Sequence, residues 1–390
     1  MKKPTSRIKW SKYAQLLKTK WSKYTQLLKT KWSKYAQLLK AKGRKHAQLL
    51  VPLLSILLIA VFNLLRDPSF FSVEISKNNL DNPVLTGNLI SILNGASELA
   101  VISMGMTLVT AACGGQDISV GALGTIAASV FVKILRDGQI TAGTIVLAFL
   151  ACCVAAMVFG AFNGTLVSVF KIQPMIATLV LFTCGRSVAY WINGGATPTI
   201  ESPLINAIGS FIPGCPVPTP ILIVIAVALL LGLLLRFTTL GLYTQTVGIN
   251  QRAARLNGIN PTLIKLASFL VLGLCCAVAG CISASRLGLI NHETMLLEIE
   301  MDAILAVAIG GNALGGGKFR ITGSVLGAYA IQALTITLYA MKVPSTDVKA
   351  YKAIVIIIIV AISSPVVKLY ISRLFNQIKT NMTKRKGAAA

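Results

Sequence analysis

Charge is sparse in this 390-residue chain. Asp, Glu, Lys and Arg make up 13% of it, where a soluble domain carries roughly a quarter. A globule facing water on all sides is thereby excluded. Histidine is scarcer, with His46 and His292 alone, too few and too far apart for a ligand set. The 8 cysteines do not change that. Cys113, Cys152, Cys153, Cys184, Cys275, Cys276 and Cys281 sit in or at the ends of apolar runs, and Cys215 has a loop to itself. Neither a disulfide framework nor a metal spacing is present. No His/Asp/Glu cluster and no nucleophile–base pair is legible, so no catalytic residue and no metal ligand is assigned. Period-2 alternation of the barrel type is missing as well.

What is there is hydrocarbon: 55% hydrophobic residues and a mean hydropathy of +0.74. Several apolar runs exceed the ~18 residues that cross a bilayer as helix, and a spanning backbone must satisfy itself internally. The fold class expected is an all-α polytopic membrane protein with about ten transmembrane helices, near 47–65, 94–113, 118–135, 142–168, 174–193, 218–236, 262–284, 301–313, 321–341 and 351–370. The eighth is short and runs into "GGNALGGG", the pattern of a broken or half-crossing helix.

The net charge of +25 is unevenly placed. Residues 1–50 hold fifteen Lys/Arg and no acid, so the excess sits at a membrane flank and does not argue for nucleic acid. Three domains are expected: a basic amphipathic arm over 1–46, a transmembrane domain over 47–375 and a basic tail over 376–390. The arm repeats "WSKYAQLLKTK" with a period of 11 residues, close to three helical turns. Trp10, Tyr13, Ala14 and Leu17 then share one side and Lys12, Gln15 and Thr19 the other, which suits a helix lying on anionic membrane lipid. The competing reading is a local duplication that tethers nothing.

With the arm in the cytoplasm and the helices alternating, Lys171, Arg236, Arg252, Arg255, Lys318, Arg320 and the tail fall inside. Asp67, Glu74, Asp81, Asp137, Glu201, Glu293, Glu298, Glu300 and Asp347 fall outside. Lys/Arg bias sets topology, so both termini are expected to be cytoplasmic. On that side "TQTVGINQRAARLNGINP" (244–261) interrupts two apolar runs. Asn250 can cap a two-turn helix, Gly258 suits the position after its end, and Pro261 restarts the next helix. Ala253 and Ala254 would let another backbone approach, with Arg252 and Arg255 as donors to it. A partner on the cytoplasmic face is expected to grip this helix.

Three stretches carry a resemblance: "CGGQDISVGAL" (113–123), "VGINQRAARLNGI" (247–259) and "EMDAILAVAIGGNALGGGKFRITGSVLGA" (300–328). In this order they resemble the signatures of permease subunits of bacterial ATP-binding-cassette importers for monosaccharides, of the ribose, galactose, arabinose and galactofuranose type. The likeness runs from about residue 84 to 368. "IQALTITLYAMKVP" looks most like the galactofuranose-type members. Ile249 departs from that family's usual glycine and Arg252 from its common glutamate.

The resemblance implies a multi-pass subunit of the bacterial inner membrane, paired with itself or with a paralogous permease. ATPase subunits act inside, and an extracytoplasmic binding protein delivers sugar outside. This chain would bind no cofactor and carry no ATPase site, ATP and Mg being held by the partner. "GGNALGGGKF" agrees, since Asn312 and Phe319 break the phosphate-loop pattern.

Within the motifs, Asp117 is placed to cap the third helix, while Gly114, Gly115 and Gly121 allow a tight turn and close packing. Gly310, Gly311 and Asn312 mark a helix break. Intramembrane polar groups are costly and usually face a cavity, so the substrate path is assigned to Asn94, Glu98, Asn163, Arg186 and Trp191. Glu98 and Arg186 could instead form a structural ion pair, and Trp191 could sit in the interfacial belt. The alternative function is an ATP-independent secondary transporter of a small polar solute, but Glu98 lacks a second intramembrane acid as relay.

Overall fold

A computed structural model describes residues 49–77, 83–200 and 202–363. The repeat arm and the basic tail, with the readings made on them, lie outside the described residues. In chain order the helices are α1 (Leu49–Arg66), α2 (Asn88–Gly95), α3 (Ser97–Cys113), α4 (Val120–Asp137), α5 (Ala142–Ser168), α6 (Pro174–Ile192) and α7 (Pro203–Gly209). There follow α8 (Thr219–Phe237), α9 (Leu240–Ile249), α10 (Gln251–Leu256), α11 (Pro261–Leu287), α12 (Ile299–Ile309), α13 (Ile321–Ala340) and α14 (Ser345–Ser363).

Among the described residues, 7 stretches are long and apolar enough to cross a membrane: α1, α2 with α3, α5, α6, α8, α11 and α13. The three other expected spans differ for visible reasons. α4 and α14 carry three charged residues each. α12 has 11 residues, which at ~1.5 Å per residue is about 16 Å, half of a ~30 Å hydrocarbon core.

One departure from all-α lies between α1 and α2. Strands β1 (Glu74–Lys77) and β2 (Pro83–Thr86) pair antiparallel, with Glu74 opposite Thr86 and Lys77 opposite Pro83. Four-residue strands are too short to register as alternation in the sequence. Before them, the Asp67 carboxylate accepts from the Ser69 hydroxyl at 2.6 Å and the Ser69 N–H at 3.0 Å, opening the 3-10 turn Pro68–Phe71. These two donors hold the Asp67 carboxyl below its ordinary range.

The core is built around α3. Each residue from Ser97 to Ala112 is buried, because the helix is apolar or small on all its faces and is enclosed by α8, α9, α11, α12 and α13. α11 lies in turn against α4 and α5. Close approach there depends on glycine. A methyl group at Gly160 of α5 would stand 2.8 Å from the Phe269 carbonyl oxygen, and one at Gly273 of α11 2.6 Å from that of Ala156. Such reciprocal notches replace the hydrophobic effect as the source of helix association in lipid.

Candidate functional site

The short helix α10 forms as its sequence dictates. The Asn250 side chain accepts from the Arg252 and Ala253 N–H groups, both at 3.0 Å. At the other end Gly258 has φ +76. The Ile259 N–H reaches the Ala254 carbonyl and the Gly258 N–H that of Arg255, both at 3.0 Å, the paired closure of a Schellman motif. Asn260 and Pro261 then start α11. One expectation is corrected. Ala254 is fully buried where α10 rests on α9 and α11, so its small size serves this chain's own packing. Leu256, about 200° further round the helix, is 90% exposed. Arg252, Arg255 and Gly258 are exposed beside it, and Ala253 is half-buried.

Immediately behind α10, three distant motif segments meet at the C-terminal end of α3. Gly317 N–H donates to the Ala111 carbonyl at 2.9 Å. The Gln116 amide donates to the Leu314 carbonyl at 3.2 Å. Gly114, at φ +65, lies so near Gly315 that a methyl group would sit 2.8 Å from its carbonyl oxygen. A methyl group at Gly248, two residues before Asn250, would come within 2.6 Å of the Gly317 nitrogen. Asn312 braces the break between α12 and α13. It accepts from the Arg320 N–H at 2.7 Å and donates to the Ser324 hydroxyl at 2.8 Å, which is 2.6 Å from the Thr107 hydroxyl of α3. Gly310 backs onto Gly323, and Gly311 turns the chain at φ +77.

Residues 114–119 are non-helical backbone, with Gly115, Gln116, Asp117 and Ser119 buried, and buried backbone of this kind is tolerated only where its polar groups find partners. Asp117 does not cap the helix directly, as α4 begins at Val120. Its carboxylate takes the Ser119 N–H at 2.7 Å and the Ser119 hydroxyl at 2.6 Å. Asn163 of α5 donates to that hydroxyl at 2.8 Å, and Thr178 of α6 accepts from the Ile118 N–H at 3.1 Å. Gly115 abuts the Pro174 ring.

The five polar residues singled out in the sequence are not brought into one site. Asn94 and Glu98 are joined by Arg286, whose guanidinium lies 2.9 Å from one Glu98 carboxylate oxygen and donates to the other at 3.1 Å. It also donates to the Asn94 carbonyl at 2.9 Å and amide oxygen at 3.1 Å. Arg286 is not singled out by the sequence. Its one signal there is a cation ending an otherwise apolar run, at the end of α11 away from α10. Arg186 stands apart from Glu98. One of its nitrogens donates to the carbonyls of His292, Glu293 and Met295 at 2.9, 3.2 and 3.0 Å, holding the irregular chain that leads into α12. A methyl group at Gly121 would lie 2.6 Å from a Glu300 carboxylate oxygen and 3.5 Å from the second Arg186 nitrogen. Asn163 belongs with Asp117 and Ser119, and Trp191 is 81% exposed. Among the described residues no group of three His, Cys, Asp or Glu side chains is placed to hold a metal ion.

A body of long apolar helices, with a capped polar helix between two of them, is that of a multi-pass membrane protein. The profile of the family described as "Branched-chain amino acid transport system / permease component" matches residues 88–363, and the chain belongs to that family. It is 35% identical over 316 residues to the galactofuranose transporter permease protein of Escherichia coli (80% of this chain, 88% of that one). It is 34% identical over 312 residues to the ribose import permease protein of the same organism (79% and 91%). Against the fructose import permease protein of Bifidobacterium longum it is 33% identical over 286 residues (72% and 78%). No solved structure matches the chain. It is a multi-pass protein of the inner membrane.

Proposed function

We propose that this permease imports a monosaccharide as the membrane-spanning part of an ATP-driven transporter. Two permease copies, or one with a paralogue, form the path. An extracytoplasmic binding protein delivers the sugar, and two ATPase subunits holding ATP and Mg act on the α10 side, which is cytoplasmic. The relatives' sugar specificities support the cargo class.

The observation that carries the coupling is the meeting of Gly248, Gly317 and Ala111 directly behind α10. A force on α10 reaches α3 through backbone contacts rather than through flexible side chains. α3 carries Glu98 at its other end, in its first turn. Asn94, Glu98 and Arg286 then offer hydrogen-bonding groups to a polyol at the opposite mouth of the path, while Arg186, Asn163 and Trp191, which lie apart from them, are candidates for other points along it. ATP binding and hydrolysis favour one state of the path over the other through such differential contacts.

The test is Leu256→Asp. Its carboxylate replaces the exposed apolar tip of α10, so the ATPase subunits should no longer co-purify and ATP-driven uptake should fall together with them. Uptake that survives without ATP or ATPase would instead place the protein with the secondary transporters.

A further inference from the structure

A cavity of about 400 Å³ opens beside α10, between the α5–α6 turn and the start of α11. Lys171, Arg252, Arg255 and Lys265 line it. α5, α6, α10 and α11, which supply most of its lining, carry no acid: none of the chain's 12 Asp and Glu residues falls between 138 and 200 or between 202 and 292. Residues 1–48 and 364–390 hold none either. Among the described residues no carboxylate pairs with any of the four cations. Asp117, four residues after the lining Cys113, is taken up by Ser119. Lys265 is half-buried and meets only the Gln251 amide oxygen, at 3.4 Å. Ser168 is among the lining residues; it is buried, and its enclosed hydroxyl has no partner. Four cations around one volume call for an anion with several acceptor oxygens, and the segments around it supply none.

We propose that this cavity binds the headgroup phosphate of an anionic phospholipid. The rim decides for an amphiphile. Ile172 lines the cavity, and Val169, Phe170 and Ile176, within two residues of other lining positions, are exposed and apolar, as are Leu179 and Val180 further along α6. A headgroup in the cavity therefore leaves its acyl chains on a surface already suited to hydrocarbon. Because Arg252 and Arg255 belong to α10, the bound lipid steadies the helix proposed to engage the ATPase. The orientation proposed for transport enters only in naming the leaflet, the cytoplasmic one.

Native mass spectrometry of the full-length permease in detergent, titrated with phosphatidylglycerol or phosphatidylcholine, reads the site without ATPase or sugar. Its failure would thus leave the transport reading standing. The repeat arm is common to all variants, so the difference between them reports this cavity. Lys171→Gln and Lys265→Gln should each weaken the first phosphatidylglycerol equivalent by about fivefold. Phosphatidylcholine binding should not change, and Lys265→Arg should retain the wild-type affinity. Lys171 is exposed on a turn, so that variant folds even if the Lys265 one does not. Equal phosphatidylglycerol binding by all variants overturns the proposal. Displacement of the lipid by millimolar inorganic phosphate assigns the site to a soluble anion and overturns it too. Loss of the lipid once ATPase subunits dock gives the cavity to the partner's carboxylates and likewise overturns it.

Discussion

Glu98 and Arg286 form the one ion pair that ties α3 to α11 among the described residues. The Glu98 side chain is 9% exposed and that of Arg286 30%. Removing the arginine leaves a buried carboxylate facing nothing, a loss of roughly 3–5 kcal/mol for a fully buried pair, and about 2 kcal/mol here since water reaches the arginine. Arg286→Gln is thus expected to lower the melting temperature in detergent, Glu98→Gln to lower it less, and the double variant to lose less than the sum. Additive losses in that thermal double-mutant cycle would show that the pair is not coupled. Asn94 and Glu98 lie four residues apart, and the structure brings both to Arg286. The sequence reading offered Arg186 as the pairing partner of Glu98, and only packing shows that Arg286 reaches α3. Asn163 likewise reads as a polar interruption in an apolar helix, and only the tertiary structure reveals that it bonds Ser119.

At the scale of the element, α10 was legible almost to the atom, since its caps are local. Asn250 and Gly258 act on groups within a few residues of themselves. What stayed hidden was which side of the helix faces out. Ala254→Glu is therefore expected to unseat α10 from α9 and α11, lowering permease stability as well as ATPase binding. Leu256→Asp should leave the melting temperature unchanged and abolish only co-purification. Identical behaviour of the two variants would contradict the burial difference between these residues. Gly258→Ala should cost about 1 kcal/mol, because a Cβ disfavours the left-handed backbone, and it is checked by faster hydrogen exchange in α10. The half-length of α12 was also announced by its glycines, while the β1–β2 hairpin was not, its strands being too brief for a pattern.

For the whole molecule, the repeat arm precedes the family-matched residues 88–363, and nothing in its sequence is suited to a path across the bilayer. Deleting residues 8–45 should leave sugar uptake within about twofold, provided that the arm contributes only surface attraction of ~1 kcal/mol per lysine. Complete loss of uptake at normal membrane levels would refute this. The sequence by itself determined the class of protein, the positions of most spans and the local chemistry of the motifs, because hydropathy, capping and glycine punctuation act over one to three turns. Tertiary structure alone decided that segments near residues 113, 248 and 316 share one junction, that Arg286 rather than Arg186 answers Glu98, and that four cations without an acid surround one cavity. Those contacts join groups far apart in the chain, and in a uniformly apolar sequence no periodicity encodes which helix face meets which.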